Sequence, residues 1–193
     1  MRTVRNTVRS RDESKARPAP GAAGFRRYVR LADGTRVTLR SIRPGDAAAE
    51  RAFIERLSPQ SRYQRFFGPQ QEVSDAAIAA FTQVDFSQAM ALVATTRTPQ
   101  GELQIGVARY HLVPGTRCGE FAIAVDDAWH GRGVAKRLLR ALIAAGRKHH
   151  RLEALVGETL PDNDRMIGLA RRLGFTIDID PRDARLVRLR HKL

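Results

Sequence analysis

The chain has 193 residues, 42% of them hydrophobic, and a formal net charge of +14. That length suits one domain with or without a tail, and the apolar fraction can fill a sizeable core, yet no apolar run is long enough to span a bilayer. A single cysteine, Cys118, excludes an internal disulfide framework, and with no apolar stretch behind the basic N-terminus to read as a secretory signal, a cytoplasmic protein is expected.

The charge is localised. Residues 1–30 hold nine Lys/Arg against Asp12 and Glu13, residues 128–152 hold seven and no acid, and the remainder of the chain is balanced. A nucleic-acid-coating protein would spread its excess over a face, so this distribution points away from nucleic acid. Residues 1–24 lack hydrophobic periodicity, end in Pro18-Ala19-Pro20-Gly21 and read as a disordered basic tail before a single domain over 25–193.

Tyr28–Ala32 and Val37–Arg40 flank Asp33-Gly34, a favoured hairpin turn. Asp46 is placed to cap a helix that puts Phe53, Ile54 and Leu57 on one face. Pro59 opens a short helix through Phe66, and Ser74 caps another carrying Ile78 and Phe81. Met90–Thr95 and Gln104–Val113 read as antiparallel strands. An apolar strand follows from Glu120 to Val125, then a loop with Gly131 and Gly133, then a helix with Val134, Leu138, Leu139, Leu142 and Ile143 on its inner face. Leu155–Glu158 reads as a further strand, a short helix precedes Leu173-Gly174-Phe175, and strands near 176–179 and 185–190 close the sheet.

The two-glycine loop carries the most chemistry. The first N–H groups of the helix behind it have no intrahelical acceptor, and the macrodipole adds partial positive charge there, so a phosphate is the natural guest. The dinucleotide fingerprint needs a third glycine where Lys136 stands, and a Walker loop is absent. Arg132 and Lys136 are positioned to reach phosphate oxygens. His130, His149 and His150 have no metal-ligand spacing, so no metal is expected.

His130-Gly131-Arg132-Gly133-Val134-Ala135 resembles the pyrophosphate loop of the GNAT (GCN5-related N-acetyltransferase) family, with His130 where Gln or Arg is usual. Asn163 and Leu173-Gly174-Phe175 resemble that family's second signature. Arg43-Pro44-Gly45-Asp46, the segment Ser58–Gly68 and Gly157-Glu158-Thr159-Leu160-Pro161 are similar to bacterial protein lysine acetyltransferases. The resemblance implies an α/β fold with a mixed, mostly antiparallel, splayed sheet flanked by helices, and acetyl-CoA as co-substrate. It implies that the strand through Ile123, Ala124 and Val125 holds the pantetheine arm, with backbone N–H groups near Ile123 on the thioester carbonyl. The segment His130–Lys136 would hold the pyrophosphate, and Asn163 would help hold the arm.

By the same resemblance Glu120 is the general base, its carboxylate desolvated by apolar neighbours, with Glu158 across the gap as the alternative. Ala170 stands where many relatives carry a Tyr acid. The implied acceptor is a lysine of a protein such as an acyl-CoA synthetase. A small-molecule amine remains an alternative, as does a non-catalytic acyl-CoA-binding module.

Overall fold

The computed structural model describes residues 22–68, 73–179 and 183–193. Strands β1 (Arg26–Arg30) and β2 (Arg36–Ser41) pair across the expected turn, where Gly34 adopts φ +84°. β3 (Ala89–Thr98) and β4 (Gly101–Leu112) form a longer hairpin, and β5 (Cys118–Val125) runs antiparallel beside β4. With β6 (Ala154–Thr159), β7 (Thr176–Ile179) and β8 (Val187–Lys192) they make one eight-stranded sheet, in the order β1-β2-β3-β4-β5-β6-β8-β7. Among the described residues only the β5–β6 pair is parallel.

That parallel pair is where the sheet opens. It joins Cys118 to Ala154, Gly119 to Leu155 and Glu120 to Val156, then stops, although β5 runs on to Val125 and β6 to Thr159. β4 still holds β5 through Val125, so β5 keeps its course while its other edge turns to the gap. At the first position past the last pair, the Phe121 ring lies against Gly157. A Cβ at Gly157 would stand 2.7 Å from the ring, so this close approach needs glycine. Phe175 flanks the same ring, with centroids 5.4 Å apart.

Helices cover both faces. On one, α1 (Ala47–Arg56) and α3 (Asp75–Thr82) bury Phe53, Ile54 and Ile78 with Leu57 against Ala91, Val93 and Val107. Between them in sequence, α2 (Pro59–Phe66) begins at Ser58, whose hydroxyl accepts from the Ser61 N–H. On the other face α4 (Val134–Ala145) buries all five expected apolar residues, and α5 (Asp164–Arg172) adds Leu169 and Ala170. A π-helical turn, Gly146–His150, prolongs α4. There the Tyr110 hydroxyl lies 2.7 Å from His150 Nδ1, while His150 Nε2 donates to the Phe86 carbonyl.

Two expectations are corrected. Asp46 stands at the N-cap of α1 without capping it through its side chain. Its carboxylate instead takes a bidentate pair of hydrogen bonds from Arg40, at 2.7 and 2.8 Å, and one from the Arg43 N–H. A buried guanidinium outcompetes a helix N–H for the same oxygens. The tail boundary also moves. Residues 1–21 lie outside the described residues, but Ala22 is fully buried and its carbonyl accepts from the Ser41 hydroxyl at 2.6 Å. Ala22–Gly24 therefore belong to the folded body.

Candidate active site

A cavity of about 870 Å³ follows the open edge of β5. Strand alternation gives β5 two different faces. Phe121, Ile123 and Val125 pack in the core beneath α4, whereas Ala124 packs in the core beneath α1 and α3. Glu120 and Ala122 share the face of Ala124, as do their cross-strand partners His111 and Arg109 on β4.

The start of α4 opens into this cavity. Gly131 (φ +73°) and Gly133 (φ +83°) take left-handed backbone, and Gly133 is the N-cap, with no side chain capping the helix. The first backbone bond back into the helix is Arg137 N–H to Gly133 C=O at 3.3 Å. The N–H groups of Val134, Ala135 and Lys136 precede it and have no helical acceptor. All three residues line the cavity, and the Lys136 side chain adds a cation. Bare amides, a positive helix end and no Cβ at the N-cap suit a pyrophosphate. The open edge of β5 suits an amide-rich arm.

His130 and Arg132 have other work. His130 Nε2 lies 2.9 Å from the Val125 carbonyl and so carries the hydrogen, while Nδ1 accepts from Arg165 at 2.7 Å. The ring thus ties the end of β5 to α5. Arg132 does not reach the cavity: it hydrogen-bonds Asp33 and the Thr35 hydroxyl, and it lies 4.0 Å above the Trp129 ring. The Thr35 backbone N–H and then Arg132 hold the Asp33 carboxyl down to about 2. The phosphate role expected of Arg132 is therefore not available in this arrangement. Arg165 and Arg172 on α5 line the cavity instead, a pair seven residues apart on one helix face that sequence reasoning passed over.

Glu120 stands at the fork, one residue before the strands part, with Glu158 on β6 lining the same cavity. Glu120 Oε2 is 3.5 Å from His111 Nε2, and its side chain is 57% exposed, so the expected burial by apolar neighbours is absent. Asn163 also lines the cavity, but both ends of its amide are engaged. Its Oδ1 caps α5 by accepting from Met166 N–H, and its Nδ2 donates to the Thr159 hydroxyl. Ala170 is fully buried and offers no proton donor.

The Ser58–Ser61 segment gains a physical role. Asp127, in the turn after β5, accepts from the Ser58 N–H at 2.9 Å and from the Ser58 and Ser61 hydroxyls at 2.8 Å each. Burial works to raise the Asp127 carboxyl, but these donors outweigh it and hold it low. One residue earlier, Asp126 takes Arg56 at 3.0 Å. The β5–α4 turn thereby fixes α2 over the cavity.

Beneath α2 lies a charge cluster that the sequence reading missed. Glu50 is 1% exposed, accepts from Arg109 Nη2 at 3.1 Å and accepts from Gln104. Burial raises its pKa against the pull of Arg109. Arg109 rests 4.6 Å from the Phe81 ring centroid, and Arg65 lies over Phe66 at 4.9 Å. Burial and then the charge of Arg109 push Arg65 down to about 10. The available signal was Glu50 itself, which falls on the α1 stripe with Phe53, Ile54 and Leu57 at helical spacing.

Residues 36–176 match the family model described as an acetyltransferase (GNAT) domain. Over 155 residues the chain is 34% identical to Acetyltransferase PA5475 of Pseudomonas aeruginosa, covering 80% of this chain and 82% of that one. The structure is similar to the crystal structure of the GNAT domain of S. lividans PAT. The TM-score is 0.79 with 32% identity, over 89% of this chain and 98% of that one. A GNAT-family acetyltransferase from Streptococcus pneumoniae, 18% identical, shares the fold with a TM-score of 0.64 over 81% of this chain and 99% of its own.

Proposed function

The chain belongs to the GNAT family and is an acetyl-CoA-dependent N-acetyltransferase; from that premise we propose that it acetylates a lysine of a protein substrate, with Glu120 as the general base. The observation that carries this reading is the fork: β5 leaves β6 directly after Glu120, and the cavity then follows its exposed edge.

Bound acetyl-CoA supplies a thioester-activated acetyl group. The start of α4 holds the pyrophosphate through the amides of residues 134–136 and the Lys136 ammonium. Backbone N–H groups near Ile123 draw charge from the carbonyl, a contribution of ~3 kcal/mol for an oxyanion donor. The acceptor must lose a proton first, because a lysine with a pKa of ~10.4 is neutral in only about one molecule per thousand at a pH of ~7.4. Glu120 takes that proton, directly or through water, which its exposure permits. The nitrogen bonds to the acyl carbon and releases its surplus proton to water, the C–S bond breaks, and with Ala170 in place of a side-chain acid the thiolate takes its proton from solvent.

Two things support a protein acceptor. The segments Ser58–Gly68 and Gly157–Pro161 resemble those of protein lysine acetyltransferases, and the first is built into the site through Asp127. A polyamine would need several carboxylates around it, whereas the cavity-lining acids among the described residues are Glu120 and Glu158, beside five Lys/Arg. The test is steady-state kinetics with a protein lysine acceptor. Glu120→Gln should lower kcat by roughly 10²-fold with acetyl-CoA affinity retained, and the deficit should shrink at high pH as the amine deprotonates unaided. Near-normal turnover in Glu120→Gln with loss in Glu158→Gln would move the base to Glu158.

A further inference from the structure

We propose that the acceptor face of the cavity is an anion subsite, formed by Arg65 and Arg109, that selects an amine acceptor carrying a carboxylate close to the reacting nitrogen. The proposal rests on the acetyltransferase reading and specifies its acceptor.

Both residues line the cavity, Arg109 on the face of the sheet that carries Glu120. They share one buried carboxylate. Glu50 bonds Arg109, while Arg65 has no carboxylate within salt-bridge distance among the described residues. The Nε of Arg109 is buried and has no hydrogen-bond partner among the described residues. Among the described residues the two cations thus share one ion-paired anion, against a partly apolar wall of Phe66 and Phe81 rings.

Placing such a charge beside aromatic faces costs solvation, and the rings return only part of it. Burial and then the charge of Arg109 lower the pKa of Arg65. An incoming carboxylate would relieve both, and guanidinium geometry favours a carboxylate over a simple dipole. The donor phosphates are not the partner for this pair, because the start of α4 with Arg165 and Arg172 belongs to the other face of the sheet. The same positive wall disfavours polyamines and lysines flanked by other cations.

A carboxylate beside an amine occurs in two sources, an acidic side chain next to a protein lysine and the α-carboxyl of a free amino acid. Peptides with one lysine, flanked at each near position by Asp or by its isostere Asn, are compared with free lysine and lysine amide. Acetyl transfer is followed by thiol release. Aspartate at one or more positions should raise kcat/KM about 10- to 100-fold over Asn, the range of a charge-assisted hydrogen bond. In Arg65→Gln the Asp/Asn ratio should fall towards one, and Arg65→Lys should restore part of it. Calorimetry with acetyl-CoA verifies that each variant is folded.

Equal rates for Asp and Asn peptides and for lysine and lysine amide would overturn the proposal, as would a ratio that persists in Arg65→Gln. Discrimination seen only with the free amino acid would sustain the anion subsite and overturn the protein-lysine reading. Discrimination among peptides sustains both.

Discussion

Gly157→Ala tests whether the opening of the sheet is set by one ring. The new Cβ would lie 2.7, 3.0 and 3.1 Å from three carbons of Phe121. Ordinary carbon contacts are ~3.5–4.0 Å, so the ring must retreat by about 1 Å. It has little room, since Phe175 packs on it and His191 packs behind Phe175 at 4.8 Å. Overpacking of this kind costs about 1–3 kcal/mol, and replacing a strand glycine returns roughly 0.5–1 kcal/mol. The net loss of about 1–2 kcal/mol corresponds to a melting temperature lower by roughly 2–8 °C in a chain of this size. Because Phe121 also lines the cavity, kcat should fall several-fold, the consequence of a displaced reaction geometry. Thermal denaturation by circular dichroism and initial-rate kinetics measure the two effects, and adding Phe121→Leu should recover part of the melting temperature. If Gly157→Ala melts within about 1 °C of the parent and turns over normally, the ring does not hold the fork open.

Gly133→Val should weaken acetyl-CoA binding by at least about tenfold in calorimetry, because it forces a β-branched residue to φ +83° at the anion site and costs ~1–3 kcal/mol of strain. The variant should remain folded, since the nearest obstacle is the movable end of Arg137. Acid titration should expose the Arg40–Asp46 pair. Burial opposes but does not outweigh the Arg40 and Arg43 hydrogen bonds, so the folded pKa of Asp46 lies below its usual 3.8. Its contribution is therefore complete above the unfolded pKa and is lost as pH falls through the lowered folded value. Asp46→Asn should cost about 3 kcal/mol near neutrality, and its deficit against the parent in urea melts should shrink below about pH 4.

What the sequence revealed was local. The α4 stripe, the helix opened by Pro59, the Ser74 cap and the two-glycine turn each depend on residues a few positions apart, and all appear in the structure. The errors arose where a distant partner claimed a side chain. Arg132 was free to face phosphate as far as its neighbours showed, but Asp33 lies 99 residues away in sequence and meets it through the β1–β2 hairpin. Asp46 lost its capping role to Arg40 by the same kind of competition. Glu50, Arg109 and Arg65 come from three elements, so only the packed sheet brings their charges together. Conversely, the fork at Glu120 has no local signature in periodicity, and only the family resemblance anticipated it.

Under the proposed assignment the two faces of β5 also separate two chemical tasks that many enzymes must solve with the same residues. Side chains at 121, 123 and 125 are committed to the core under α4, and those at 120, 122 and 124 to the opposite layer. On that assignment a substitution in α2 or α3 would reshape what the enzyme acetylates without passing through the residues proposed to hold its acetyl donor. Acceptor preference is therefore the property most open to drift or to engineering in this scaffold. A one-residue insertion in β5 is the change it cannot absorb, because the register slip would exchange the occupants of the two faces.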